Sequence, residues 1–164
     1  MKHILLVRHA KSSWDSSDLS DFDRPLNERG KRDAPAMAHR LSNRNITVDA
    51  FVSSPAKRAK KTAELFAEEL GADKKSILFI DNLYHPHPPA FFAAIASMDD
   101  SVQCMAIFSH NPGITDFVNM LSSVRTDNMP TSAVYAVKAD IQSWKDFEKA
   151  KKEFWFYDYP KAGD

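Results

Sequence analysis

Three short stretches carry side chains whose chemistry stands out from their surroundings. Arg8-His9 ends the apolar run Ile4-Leu5-Leu6-Val7. Arg58 follows Ser54-Pro55, with Lys57, Lys60 and Lys61 beside it. His110 closes the largely apolar stretch Val102–Ser109. A guanidinium matches the geometry of a phosphate, and a neutral imidazole can attack phosphorus and carry it transiently. Two arginines around such a histidine would neutralise the equatorial oxygens of the transition state, and a second histidine would add a hydrogen bond or a positive charge. A lone histidine at a strand end is more often a core residue satisfied by backbone. His9 rises above that reading only if the fold brings Arg8, Arg58 and His110 to it.

The elements that could do this are visible in the pattern. Residues 2–8 read as a strand buried on both faces. Residues 10–26 are rich in Ser and Asp, have no period, and read as a loop long enough to be functional. Asn27 is a helix N-cap with Glu28 in the first turn, and Ala34, Met37, Ala38 and Leu41 recur at helical spacing. Pro35 predicts a kink or a late start for that helix. A second strand spans 49–53. Ser54-Pro55 then opens a helix striped by Ala59, Ala63, Phe66 and Leu70 and closed by Gly71. A third strand covers 76–80, and a proline-broken segment 84–89 leads into a helix to about Met98. A fourth strand, 102–109, reads as central, and a helix with Ile114, Phe117, Val118 and Leu121 follows it. Segments 132–139 and 152–158 read as further strands, the last at an edge.

This alternation predicts a single α/β domain over residues 1–164, three layers deep, with a mostly parallel central sheet. In such sheets ligands bind beyond the carboxyl ends of the strands. Arg8-His9, the segment reaching Arg58, and His110 all follow predicted strands, so they should face one rim. A cation in the first turn of a helix opposes the helix dipole, so the cluster around Arg58 is explained by an anion bound there. The alternative for Lys57, Lys60 and Lys61 is a solvated helix face.

Composition narrows the class. The chain has 164 residues, 22 of them Lys or Arg and 22 Asp or Glu, so no net charge points to nucleic acid or an anionic membrane. A single cysteine, Cys104, cannot form an internal disulfide, which fits a reducing cytoplasm. The N-terminal apolar run is too short for a signal peptide, and no stretch is long enough to span a bilayer.

Other chemistries lack parts. His85-Pro86-His87 has no nearby Cys or carboxylate completing a metal-ligand set, so no metal is expected and the segment reads as a rim loop. Asp15, Asp18, Asp21 and Asp23 lack the glycine and terminal glutamate of a calcium loop. Cys104 is not followed by the arginine loop of a cysteine phosphatase, and no Gly-rich Lys-Ser/Thr loop exists. Trp14 and Phe22 either pack the long loop down or meet substrate. Trp144, Trp155 and Tyr157 read as sheet packing.

Leu6-Val7-Arg8-His9-Ala10, Ser53-Ser54-Pro55 with Arg58 and Thr62-Ala63, and Ser109-His110-Asn111-Pro112 resemble the histidine phosphatase superfamily, which includes the cofactor-dependent phosphoglycerate mutases. Within it, Arg8-His9-Ala10-Lys11-Ser12-Ser13-Trp14, Asp21 through Gly30, and Tyr159-Pro160-Lys161 are similar to the SixA-type phosphohistidine phosphatases. The resemblance spans the whole chain and keeps the order of the motifs. It implies a phosphoglycerate mutase-like fold, His9 as the phosphorylated nucleophile, and Arg8, Arg58 and His110 as the phosphate pocket. Lys11 and Asn111, inside the matching motifs, are expected to contact substrate. No metal or other cofactor is implied, and the partner would be a phosphohistidine-bearing protein such as a phosphotransfer domain.

Two departures bear on substrate. Many superfamily members have glycine where this chain has Ala10, as the SixA-type branch does. Many also carry a glutamate that protonates the leaving group; here the aligned stretch is Asp81-Asn82-Leu83-Tyr84, leaving Asp81, His85 or water as the proton source. An alkoxide leaves poorly without a proton, whereas the imidazole of phosphohistidine can already be protonated. Larger members also cover the pocket with insertions, and the short connection between the third and fourth strands implies an open rim. A small-molecule phosphomonoesterase and a non-catalytic phosphoprotein-binding module remain alternative readings.

Overall fold

A computed structural model of the protein describes residues 1–15 and 18–162; Ser16 and Ser17 of the predicted loop lie outside the described residues. Six strands form one sheet in the order β3-β2-β4-β1-β5-β6. They are β1 (Lys2–Arg8), β2 (Ala50–Ser53), β3 (Leu78–Phe79), β4 (Cys104–Ser109), β5 (Val134–Ala139) and β6 (Glu153–Asp158). The helices are α1 (Glu28–Asn43), α2 (Lys57–Glu69), α3 (Pro88–Ala96) and α4 (Gly113–Leu121). The pairings β1–β4, β4–β2 and β2–β3 are parallel, while the pairings β1–β5 and β5–β6 are antiparallel. The predicted three-layer α/β architecture with a mostly parallel sheet is the one observed. Among the described residues no helix is long and apolar enough to cross a membrane.

The strand β1 shows why. Ile4 and Leu6 enter the core shared with α3 and α4, whereas Leu5 and Val7 enter the core shared with α1 and α2. Side chains alternate faces along a strand, so a continuous apolar run needs a hydrophobic layer on both sides. Beside it β4 is buried at every residue. The polar interruption falls where both strands end: Arg8 lies opposite Ser109, and Ser53 opposite Phe108. Three parallel strands thus deliver their carboxyl ends to one rim.

Several local expectations shift. Helix α1 runs through Pro35 from Glu28, without a late start. The buried stripe of Ala34, Met37, Ala38 and Leu41 supplies tertiary packing that outweighs one lost backbone bond. Asn27 caps α1 as expected, its side chain accepting from Gly30 N–H at 2.9 Å. Helix α2 begins at Lys57 with Ala56 at the cap, so Ser54 and Pro55 precede the helix. Strand β3 is only two residues long, both exposed, flanked by 3-10 turns over Lys74–Ser76 and Asp81–Leu83. Trp144 lies on a 3-10 turn, fully buried, its indole N–H donating to Val102 O at 2.9 Å.

The loop after β1 is fastened to the start of α1. Ser12 bridges Leu26, Asn27 N–H donates to Lys11 O at 3.0 Å, and Ser13 N–H to Pro25 O at 2.8 Å. A Cβ at Gly30 would lie 2.2 Å from the Lys11 carbonyl oxygen, so the helix approaches the loop backbone as only glycine allows. Gly30→Ala is therefore expected to cost about 1–3 kcal/mol. A urea titration that returns the wild-type midpoint for this variant would refute that close approach.

Candidate active site

His9 sits immediately past β1 and is 6% exposed. Its main chain is held on two sides: His9 N–H donates to Ser109 O at 3.1 Å, and its carbonyl accepts from Ser132 N–H at 3.2 Å. Ser132 adopts a positive φ of 64°, which turns its N–H toward both Arg8 O and His9 O. The ring is fixed by Nδ1, 2.7 Å from Ala10 O. A carbonyl can only accept, so Nδ1 carries the hydrogen and Nε2 keeps a free lone pair. Burial, together with the charges of Arg58, Arg8 and Arg24, outweighs the Ala10 bond and drops the His9 pKa to about 3. The imidazole is neutral at physiological pH, as a nucleophile must be.

Around it the predicted partners converge. His110, 4% exposed, brings its ring centroid within 5.1 Å of that of His9. Its Nε2 lies 2.7 Å from Ser54 Oγ, while Nδ1 is buried without a partner. Burial, then His9 and Arg58, lower its pKa to about 2. Arg8 donates through Nη1 to Met129 O at 2.8 Å and leaves a buried Nε unpaired. Arg58, on the first turn of α2, donates to Asp21 through both terminal nitrogens, at 2.6 Å to the carbonyl and 3.0 Å to Oδ2. Its Nε too is buried and unpaired. Thr62, one turn along α2, accepts from Ala10 N–H at 2.9 Å and donates to Arg58 O at 2.7 Å, joining the helix to the strand end.

The other site expectations fare differently. Asn111 adjoins His110, but its amide is committed elsewhere: to Asn128 Oδ1 at 2.6 Å, to Met129 O at 3.0 Å, and to the Thr115 hydroxyl at 2.6 Å. Met129 O is the carbonyl that receives Arg8, so Asn111 positions an arginine where a substrate contact was expected. Lys11 contributes its main chain to the loop anchorage; its half-buried side chain has no ion-pair partner among the described residues. Asp81, Asn82 and His85 are exposed on the rim. Lys57, Lys60 and Lys61 point outward from α2, exposed, while Arg58 between them is buried. Among the described residues no group of three or more His, Cys, Asp or Glu is placed to hold a metal ion.

Sequence reasoning missed three members of the site. Arg24, 7% exposed, donates to Ser12 Oγ at 2.9 Å and stacks under the Trp14 ring, 3.4 Å from its centroid. Its Nε and Nη1 are buried without a hydrogen-bond partner. Asp21 pairs with both Arg58 (3.0 Å) and Arg24 (3.4 Å). Tyr84 donates its hydroxyl to Asp21 Oδ2 at 2.6 Å, and its ring meets the Phe22 ring edge-on at 5.1 Å. Burial works to raise the Asp21 pKa, but the Tyr84 and Arg58 hydrogen bonds and the two arginine charges overcome it and hold the carboxyl below its usual range. Asp21 and Arg24 lie in the stretch 21–30 that carries the resemblance and Tyr84 ends the stretch 81–84, yet nothing local gave them a role, since their contacts depend on how the loop folds back.

The buried polar atoms without a hydrogen bond are Nε of Arg8 and Arg58, Nε and Nη1 of Arg24, Nδ1 of His110 and Oγ of Ser132, Arg24 Nε lying within ion-pair distance of Asp21 at 3.4 Å. Native proteins leave few such groups unpaired. Several cationic donors open around one neutral histidine describe a site for an oxyanion of high charge, with a nucleophile against it.

Comparison with known proteins agrees. Residues 4–81 match the family model of the histidine phosphatase superfamily (branch 1). The matched stretch holds Arg8, His9 and Arg58 and covers just under half of the chain. The fold matches that of the protein histidine phosphatase SixA complexed with tungstate, with a TM-score of 0.81 and 23% identity over 96% of this chain and 97% of that one. The chain is 28% identical over 156 residues to an uncharacterized chloroplastic protein of Arabidopsis thaliana, covering 88% of this chain and 70% of the relative. Over 75 residues it is 36% identical to the serine/threonine-protein phosphatase PGAM5 of Xenopus tropicalis, covering 46% of this chain and 26% of that protein.

The two buried histidines carry a pH signature. Unfolded, each binds a proton near its ordinary pKa of about 6.5; folded, His9 does so only near 3 and His110 near 2. Between those limits the unfolded state holds more protons, so stability falls as pH falls below about 6.5, by up to about 1.4 kcal/mol per pH unit for each histidine. His110→Asn should shed one histidine's share of that slope. Urea unfolding from pH 4 to 7 on both proteins measures it, and identical slopes would show that His110 is not held neutral in the fold.

Proposed function

We propose that the protein removes phosphate from phosphohistidine displayed on another protein, through a covalent phosphohistidine at His9. The observation that carries this reading is the set of open cationic donors around a neutral His9, combined with a carboxylate, Asp21, that is held ionised. The carboxylate reaching the site is Asp21, and its pairing with Arg58, Arg24 and Tyr84 keeps it ionised. An ionised carboxylate cannot protonate a departing alkoxide. The Tyr84 hydroxyl is occupied by Asp21, and the same bond, added to burial, raises its pKa and makes it a weaker acid. An imidazole leaving group that already bears a proton on its other nitrogen needs neither.

The route follows from the geometry. His9 Nε2 attacks the phosphorus; the new N–P bond forms as the substrate's N–P bond breaks, and the substrate imidazole departs neutral. Arg8, Arg24 and Arg58 offset the charge on the transferring group, the task a metal ion would otherwise perform. Throughout, Ala10 O retains the Nδ1 hydrogen of His9. The phosphorylated ring is therefore a cation, and it too departs as a neutral imidazole when water attacks. The water proton passes to the released phosphate, and His9 regains its lone pair. The SixA structure with bound tungstate, a tetrahedral oxyanion, supports a phosphoryl site in this fold. The match over 75 residues to a serine/threonine-protein phosphatase favours the alternative of O-ester hydrolysis.

The test sets a phosphohistidine peptide against a phosphoserine peptide. Faster release from the N–P bond is expected, with an acid-labile label on wild-type protein and none on His9→Ala. The variant should lose at least about 10³-fold in turnover, and chelators should leave the wild type unchanged. Release from the phosphoserine peptide alone would overturn the substrate assignment; wild-type turnover by His9→Ala would remove His9 as nucleophile.

A further inference from the structure

Beside the phosphate site lies a groove to which the chemistry above gives no task. It is a cavity of about 610 Å³ between the 21–26 segment and the first turns of α2. Phe22, Pro25 and Pro55 give it an apolar floor. It shares its wall with the phosphate site. Asp21, preceding Phe22, pairs with Arg58, and Ser54, preceding Pro55, holds His110.

The rim of this groove is basic. Lys31, Lys57, Lys60 and Lys61 line it, against the two carboxylates Asp23 and Glu64. Asp23 already accepts the Ser20 hydroxyl at 2.9 Å, and Lys31 reaches Glu28 at 3.4 Å. Lys57, Lys60 and Lys61 have no ion-pair partner among the described residues; Lys60 lies over the exposed ring of Phe79, 5.6 Å from its centroid. The first turn of α2 contains no acidic residue. These cations therefore add to the positive end of the helix dipole, in a chain whose formal charge is zero. Such a local excess over an apolar floor favours a partner that brings carboxylates and a few apolar side chains.

We propose that this groove docks an acidic segment of the phosphohistidine-bearing protein, flanking the phosphorylated residue. The proposal rests on the phosphohistidine reading above. It makes the groove, and not the phosphate pocket, the source of discrimination among protein substrates. The pocket reads only the phosphoryl group, which every phosphohistidine presents alike.

The test uses two synthetic phosphohistidine peptides of equal length, one flanked by Asp and Glu and the other by Lys, with phosphoramidate as a bare N–P substrate. At low ionic strength the wild type should turn over the acidic peptide at about tenfold higher kcat/KM than the basic one, and salt should erode the difference. Lys57→Glu with Lys60→Glu and Lys61→Glu should reverse the preference, and the three Lys→Gln changes should flatten it. Phosphoramidate turnover should stay within about twofold in both variants, which also reports an intact fold. Equal wild-type turnover of the two peptides, or an acidic preference that survives the lysine changes, overturns the docking site and leaves the phosphohistidine reading standing. Phosphoramidate or ester hydrolysis with neither peptide used overturns both.

Discussion

Three guanidinium groups and two uncharged imidazoles share the space beyond one buried strand, and the surrounding structure is arranged to tolerate that crowding. Like charges in a water-poor pocket repel, and each arginine needs a support that holds it in place. Arg8 hangs from Met129 O, Arg24 from Ser12 and the Trp14 ring, and Arg58 from Asp21. Asp21 is the anion that touches two of the three. The unspent donors are what an arriving phosphoryl group would satisfy. Burial first, and the neighbouring positive charges after it, keep His9 and His110 uncharged.

Much of this was legible in the chain because the decisive signals were local. An apolar run interrupted by Arg8-His9 announces a two-face-buried strand and its end, and the parallel register with β4 then places His110 opposite with no further information. Arg58 was legible as a cation in the wrong place, on the first turn of a helix. What could not be read depended on contacts distant in sequence. Asp21 meets Tyr84, and Arg24 meets Ser12, only because the loop folds back and is clamped at Gly30. Asn111 misled by adjacency. It neighbours a site histidine, yet its amide faces the segment carrying Met129. Pro35 misled because helix rules weigh the lost hydrogen bond and not the buried stripe on the same helix. The 3-10 turns around β3 took residues from a strand whose apolar pattern was longer than its pairing.

The position of Asp21 shapes what the site can do. A carboxylate beside a phosphate pocket is an obvious candidate for a general acid, and a sequence reader would seek one. Here the carboxylate receives hydrogen bonds from a phenol and a guanidinium and stands beside a second guanidinium, and each of these favours its ionised form. Its contribution is structural and electrostatic. It draws the loop onto α2, limits arginine repulsion, and leaves leaving-group protonation to the substrate. On the proposed reading a site built this way would be selective by omission: bonds to good leaving groups would break, while bonds to alkoxides would wait for a proton that Asp21 does not give.

On the proposed reading such selectivity would be chemical and would not distinguish one phosphohistidine from another. Any further choice must come from surface outside the donors that grip phosphate. The loop and α2 together make both surfaces, since Asp21 and Arg58 face the pocket while Phe22, Lys57, Lys60 and Lys61 face the groove. A side chain's neighbour along the chain is thereby assigned to the adjoining surface. Displacement of the loop by a bound segment would be felt at Asp21, and through it by two arginines. The groove and the charge balance in the pocket are tied by the same covalent segment, so a partner seated in one would stabilise the geometry of the other.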